Sequence, residues 1–164
     1  MNNVNKALFL GNEAACCTSV GRGTKQETAP YYVKNKLIGA IEITDSDYPI
    51  GNTTCYFAKV NDNLSLVLDN IELLPSYKNN NDIKNGIFEY ARELCKDVGK
   101  PDIPIYVVGH RNTIDLTELE TAHQPLRVIG SSGEDKVYFD FLTGFIKIDP
   151  QNPCLHDVEL TKVR

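Results

Sequence analysis

The chain lacks any long apolar run. Its longest are about five residues, against the ~20 a membrane-spanning helix needs, so no such helix is expected. No basic stretch leads into an apolar core at the N-terminus. A signal peptide is therefore not expected, and the expected compartment is the cytoplasm. Positive charge is not in excess: 17 Lys and Arg stand scattered against 22 Asp and Glu, for a net charge of −5. Phosphate backbones are held by clustered cations, so no broad nucleic-acid interface is expected. The five cysteines include the adjacent pair Cys16 and Cys17. An odd number without a secretion signal argues against a disulfide framework. Paired Cys-x2–4-Cys units are also lacking, and no zinc centre is expected. Internal repeats are absent, and the one biased stretch is Asn79-Asn80-Asn81.

What is present suits one domain. The 164 residues, 41% hydrophobic and 24% charged, are enough to bury a core. A single domain over 1–164 is expected, with 1–35 irregular apart from a short helix over Pro30 to Lys36. Asp82 to Val98 is the strongest element. Ile83, Ile87, Phe88, Ala91, Leu94, Cys95 and Val98 recur at steps of three and four, which is one helical face. Asn81 or Asp82 caps its start, and Gly99 followed by Lys100-Pro101 ends it.

Leu64 to Leu74 is mostly apolar on both faces and reads as a central strand. Ile103 to Val108 reads as another. Strand, helix and strand with short joints form a βαβ unit with parallel strands. Upstream, Leu37 to Thr44 and Thr53 to Val60 read as strands parted by a Gly51-Asn52 turn, and Asn61-Asp62-Asn63 turns into the central strand. Downstream, Leu116 to His123 is a weaker helix. Leu126 to Ile129 and Lys136 to Ile148 form a hairpin around Gly130-Ser131-Ser132-Gly133. The expected fold class is α/β (α+β): a single-domain mixed sheet with flanking helices.

That order, and the run from Leu68 through Gly99, resembles the GNAT-type N-acyltransferase superfamily. Pro75, Tyr77 and Lys78 close the strand as in that family, and Phe88-Glu89-Tyr90-Ala91 sits in the following helix. The resemblance spans roughly residues 37–110. It implies an acyl-coenzyme A N-acyltransferase acting on a small-molecule or peptide amine. The cofactor's pyrophosphate would sit at the helix N-terminus, where free N–H groups and the dipole favour anions. Residues Lys78, Asn79, Asn80, Asn81, Asp82 and Ile83 would form that cradle, and the pantetheine arm would pass Leu73, Leu74 and Asn112. The chain departs from the family here: the loop has no glycine, and Asp82 places a carboxylate at the phosphate position. Asn tolerates left-handed backbone better than most residues, which keeps a nest of N–H groups available.

By the same resemblance Glu72 is the candidate base or water-holder, with Asp69 and Asn70 beside it, and Tyr138 lines the acceptor pocket. The alternative readings are structural: strand-end hydrogen bonding for the carboxylates, core packing for Tyr138, and a helix cap for Asn112. Two rival functions stand beside acyl transfer. One is a non-catalytic binding or regulatory module. The other is a cysteine-dependent enzyme using Cys16 or Cys17 with His110, His123 or His156.

Overall fold

In the computed structural model the described residues are 38–108, 114–128, 136–139, 144–147 and 155–163. β1 (Ile38–Asp45) and β2 (Tyr48–Val60) form the first hairpin. Its turn is Ser46-Asp47, with Ser46 at φ +55°, and not Gly51-Asn52 as the sequence suggested. Gly51 lies buried inside β2 because β4 (Glu72–Leu73) approaches it there. A Cβ on Gly51 would sit 2.3 Å from the Glu72 carbonyl oxygen and 2.6 Å from Leu73 Cδ2. The glycine serves strand contact rather than chain reversal. The second turn is where it was expected. Asn61 and Asp62 hold φ of +48° and +61°, the pair of positive values that a tight two-residue hairpin requires, and β3 (Asn63–Leu68) follows.

The expected central strand is shorter than Leu64 to Leu74. It stops at Leu68 and resumes only as the two residues of β4. Side chains displace the ladder in between. Thr53 Oγ1 donates to the Asp69 carbonyl at 2.9 Å, and Asn70 N–H donates to Asp69 Oδ1 at 3.0 Å. A 3-10 turn at Pro75–Tyr77 then leads into α1 (Asn81–Asp97). The helix ends as its sequence predicts: Gly99 takes φ +71°, Gly99 N–H bonds the Lys96 carbonyl and Lys100 N–H the Cys95 carbonyl, both at 2.8 Å. β5 (Ile105–Val108) returns parallel to β3, pairing Leu66 with Ile105 and Leu68 with Val107. The βαβ unit is therefore present.

Beyond it the expectation of a GNAT-like fold is overturned. That fold needs several flanking helices, and α1 is the one α-helix among the described residues. The segment expected to be a helix over Leu116 to His123 becomes a turn followed by β6 (Thr121–Val128). Asp115 Oδ1 accepts from Thr117 N–H and Thr117 Oγ1, and this local loop takes the groups a helix would use. β6 does not form a hairpin with Lys136 to Ile148 either. β7 (Lys136–Phe139) pairs with β8 (Gly144–Lys147), whereas β6 pairs with β9 (Leu155–Val163) and with β2. The Pro30 to Lys36 helix and the Gly130 to Gly133 turn lie outside the described residues.

The β2–β6 pairing closes the sheet. The order β2-β3-β5-β9-β6 returns to β2, so five strands form a mixed barrel, with β1 extending from the long β2. Alternate residues of those strands make one buried cluster: Tyr56, Ala58, Val60, Val67, Tyr106, Val108, Leu126, Val128, Val158 and Leu160. They fill the barrel, as a barrel this narrow requires. The opposite faces of β1 to β3 and β5 carry Ile41, Ile43, Leu66, Leu68, Ile105 and Val107. These pack with Ile87, Phe88, Ala91 and Cys95 of α1 into a second core. None of the described helices is long and apolar enough to cross a membrane.

Candidate functional site

The carboxyl ends of β3 and β5, a parallel pair, are where α/β architectures place ligands. At the β3 end the structure gathers Asn52, Thr53, Asp69 and Asn70, all buried. Asp69 is 2% exposed, with Oδ1 on the Asn70 N–H and its own N–H donating to the Thr54 carbonyl at 2.8 Å. A general base must reach its substrate. Asp69 is instead enclosed and bonded within the strand break, which supports the structural reading of this residue. Glu72 is half-buried and stands opposite Asn52 in register; on the other side of Asn52 stands Glu42 of β1. The row Glu42–Asn52–Glu72 thus crosses three strands on the face away from α1. Glu42 carried no mark in the sequence and Asn52 was read only as part of a turn, because cross-strand register is set by partners far along the chain.

The cofactor loop of the resemblance maps onto the start of α1. Leu73 is 5% exposed and packs in the helix-side core, and Leu74 N–H donates to the Ile50 carbonyl at 2.8 Å. Tyr77 Oη donates to Asp45 Oδ2 at 2.9 Å, and that bond holds its phenol pKa above the ordinary value. Asn79 takes the left-handed conformation at φ +64°. Asn80 is the cap: its Oδ1 accepts from Asp82 N–H at 2.9 Å and from Ile83 N–H at 3.3 Å. Two of the N–H groups that a pyrophosphate would need are therefore taken by the chain's own side chain. Lys78 and Asn81 are exposed, and Asp82 adds a carboxylate in the first turn.

Tyr138 lies on β7, which pairs only with β8 among the described residues. Asn112, His110, Cys16, Cys17 and Cys154 lie outside the described residues. His123 is exposed on β6, its Nδ1 3.7 Å from Asp157 Oδ2 and its Nε2 4.0 Å from Glu159 Oε2 on β9. Burial lowers the pKa of His156. The thiols of Cys55 and Cys95 are buried, and burial is the chief cause that pushes Cys55 up to about 11. A thiol held protonated is a poor nucleophile. Among the described residues no three His, Cys, Asp or Glu side chains converge to hold a metal ion.

A different concave surface runs along the outer edge of β1. An open groove of about 570 Å³ is bounded by Ala40 to Thr44 on the strand and by Asp82, Ile83, Gly86, Ile87 and Tyr90 on α1. Its floor carries the apolar side chains that the amphipathic helix turns toward the sheet. Gly86 sits inside the helix, where glycine costs about 1 kcal/mol relative to alanine. Among the described residues, nothing outside the helix's own nearby backbone lies within 4 Å of the position its Cβ would take. The groove therefore has a notch at its middle. Tyr90 stands beside it, 51% exposed. The periodicity of α1 had pointed to core residues only, and the groove comes from the way β1 ends the sheet.

No family model matches this chain. No curated protein sequence matches it either. Geometry alone thus ranks these surfaces, and the β1–α1 groove is open where the Asp69 cluster is enclosed and the start of α1 is self-capped.

Proposed function

We propose that the chain is a binding module whose ligand lies in the groove between β1 and α1. The observation that carries this reading is the open notch at Gly86, set beside an exposed tyrosine on a helix and bordered by an edge strand. Binding sites combine a concave apolar floor with a few polar groups that fix orientation. Here Ile83 and Ile87 supply the floor, and Thr44 and Asp82 supply polar groups beside it, with Glu42 of the same strand turned to the opposite face.

Acyl transfer from acyl-coenzyme A is the weaker reading. Asn80 occupies Asp82 N–H and Ile83 N–H, and the carboxylate of Asp82 repels a pyrophosphate brought to that place. Asp69 is enclosed, so Glu72 alone remains as an accessible base. A ligand screen by NMR chemical-shift perturbation on the full chain tests the choice. The binding reading expects hits that move the amides of Ala40 to Thr44 and Ile83 to Tyr90, and it expects millimolar coenzyme A or acetyl-coenzyme A to leave the melting temperature unchanged. Saturating ligand stabilises a fold, so a rise in melting temperature with either cofactor returns acyl transfer to first place.

A further inference from the structure

We infer that the occupant of the groove is an extended segment of another protein, alternating apolar–basic–apolar, which adds as a strand to the outer edge of β1. This inference rests on the groove-binding reading above. Among the described residues β1 is paired on one side only, to β2. An edge strand offers a row of main-chain donors and acceptors that an incoming strand can use. The side chains of β1 say what that strand must carry. Ile41 and Ile43 point to the α1 side and join its core, together with Ile83 and Ile87. Glu42, between them, points to the opposite face, toward Asn52. A strand laid ~4.8 Å from β1 repeats this alternation, because side chains change face at every residue. Its residues on the helix side meet Ile83, Tyr90 and the notch at Gly86, so they are apolar. The residue between them lies on the opposite face beside Glu42, an acidic side chain. That residue is therefore Lys or Arg.

The same features disfavour a second copy of this chain as the occupant. Antiparallel pairing of two β1 edges about Glu42 sets the two Glu42 carboxylates directly opposite each other, and like charges across a strand pair are destabilising. A net charge of −5 on each copy adds to the repulsion. The register shift of β1 between Ile43 and Thr44 limits the flat length of the edge, another common guard against self-pairing.

The test uses the full chain and capped nine-residue peptides, one alternating valine with lysine and one alternating valine with glutamate, followed by calorimetry. The lysine peptide is expected to bind saturably and about tenfold more tightly than the glutamate peptide, since an attractive cross-strand pair is exchanged for a repulsive one. Glu42→Lys should invert that order. Gly86→Leu should fill the notch and abolish binding while the melting temperature stays level or rises, because leucine is the better helix former. Equal binding of the two peptides, or binding unaffected by Gly86→Leu, overturns the inference. So does an edge already occupied in the free protein: a dimer in sedimentation that Glu42→Lys alters, or Ala40 to Thr44 amides protected from exchange before any peptide is added. If peptides fail while small ligands still shift Ile83, Gly86 and Tyr90, the inference falls and the groove reading stands. If neither binds, both fall.

Discussion

The barrel interior and the β1–α1 layer share one long strand, β2, yet they are built on different terms. Around the C-terminal half of β2 the sheet closes through β6, and ten apolar or aromatic side chains fill the space within. Around its N-terminal half, β1 is paired on one side only among the described residues, and α1 covers one face but leaves a groove at that edge. Closure removes unpaired main-chain groups, and an edge presents them. The first region thus has stability as its role, and the second has room for a ligand. Glycine marks the contrast. Gly51 admits β4 against β2 where a side chain would collide, whereas Gly86 leaves space that nothing in the described chain fills.

Substitutions that respect this division should separate the two regions. The largest effect is expected inside the barrel. Leu126→Ala removes a fully buried side chain and should lower stability by about 2–5 kcal/mol, read from the urea midpoint. Ile83→Ala, half-buried at the groove, should cost under about 1 kcal/mol while weakening any groove ligand. Equal losses at both sites would erase the distinction.

Next is the helix start. Asn80→Ala deletes the cap to Asp82 N–H and Ile83 N–H and should cost about 1 kcal/mol. It should not create coenzyme A binding, because Asp82 remains. A smaller, opposite change is expected at Gly86→Ala: a gain of up to about 1 kcal/mol in thermal unfolding, as the new Cβ meets open space.

The weakest lever is pH. The folded Cys55 thiol titrates at about 11, above its ordinary value of 9.0. A group whose pKa is raised by folding contributes stability that is complete below the unfolded pKa and is lost as pH climbs toward the folded one. The melting temperature should therefore decline between about pH 9 and 11, and Cys55→Ala should flatten part of that decline. Cys95, Tyr77 and Tyr106, also raised, add to the decline with the same sign.

The sequence carried its local patterns faithfully. The period of Ile83 to Cys95 and the Gly99 stop located α1 to within a residue at each end, and the run Ile103 to Val108 located β5, which begins two residues later at Ile105. Short-range signals also placed the parallel βαβ unit. They failed where distant partners decide. Nothing local says that Ala58 to Val60 will meet Leu126 to Val128, so closure was invisible and a twisted mixed sheet with helices on its faces took its place. Gly51-Asn52 looked like a turn because its real reason, the close approach of β4, lies some twenty residues on. The GNAT resemblance drew on a strand, turn and helix that many folds contain. At the candidate site, Asp69 and Glu72 were legible as polar interruptions of an apolar strand, but the enclosure of one and the register of the other with Asn52 and Glu42 were not.

Amide hydrogen exchange on the full chain tests the central claim most directly, because it reads edge and barrel in one experiment. Amides of β3, β5 and β9 should exchange slowest, through global unfolding. The amides of Ala40 to Thr44 that point away from β2 should exchange rapidly in the free protein and become protected when the valine–lysine peptide is added. Protection of those edge amides in the free protein, or peptide-induced protection appearing instead at Asp69 to Glu72, would contradict the account.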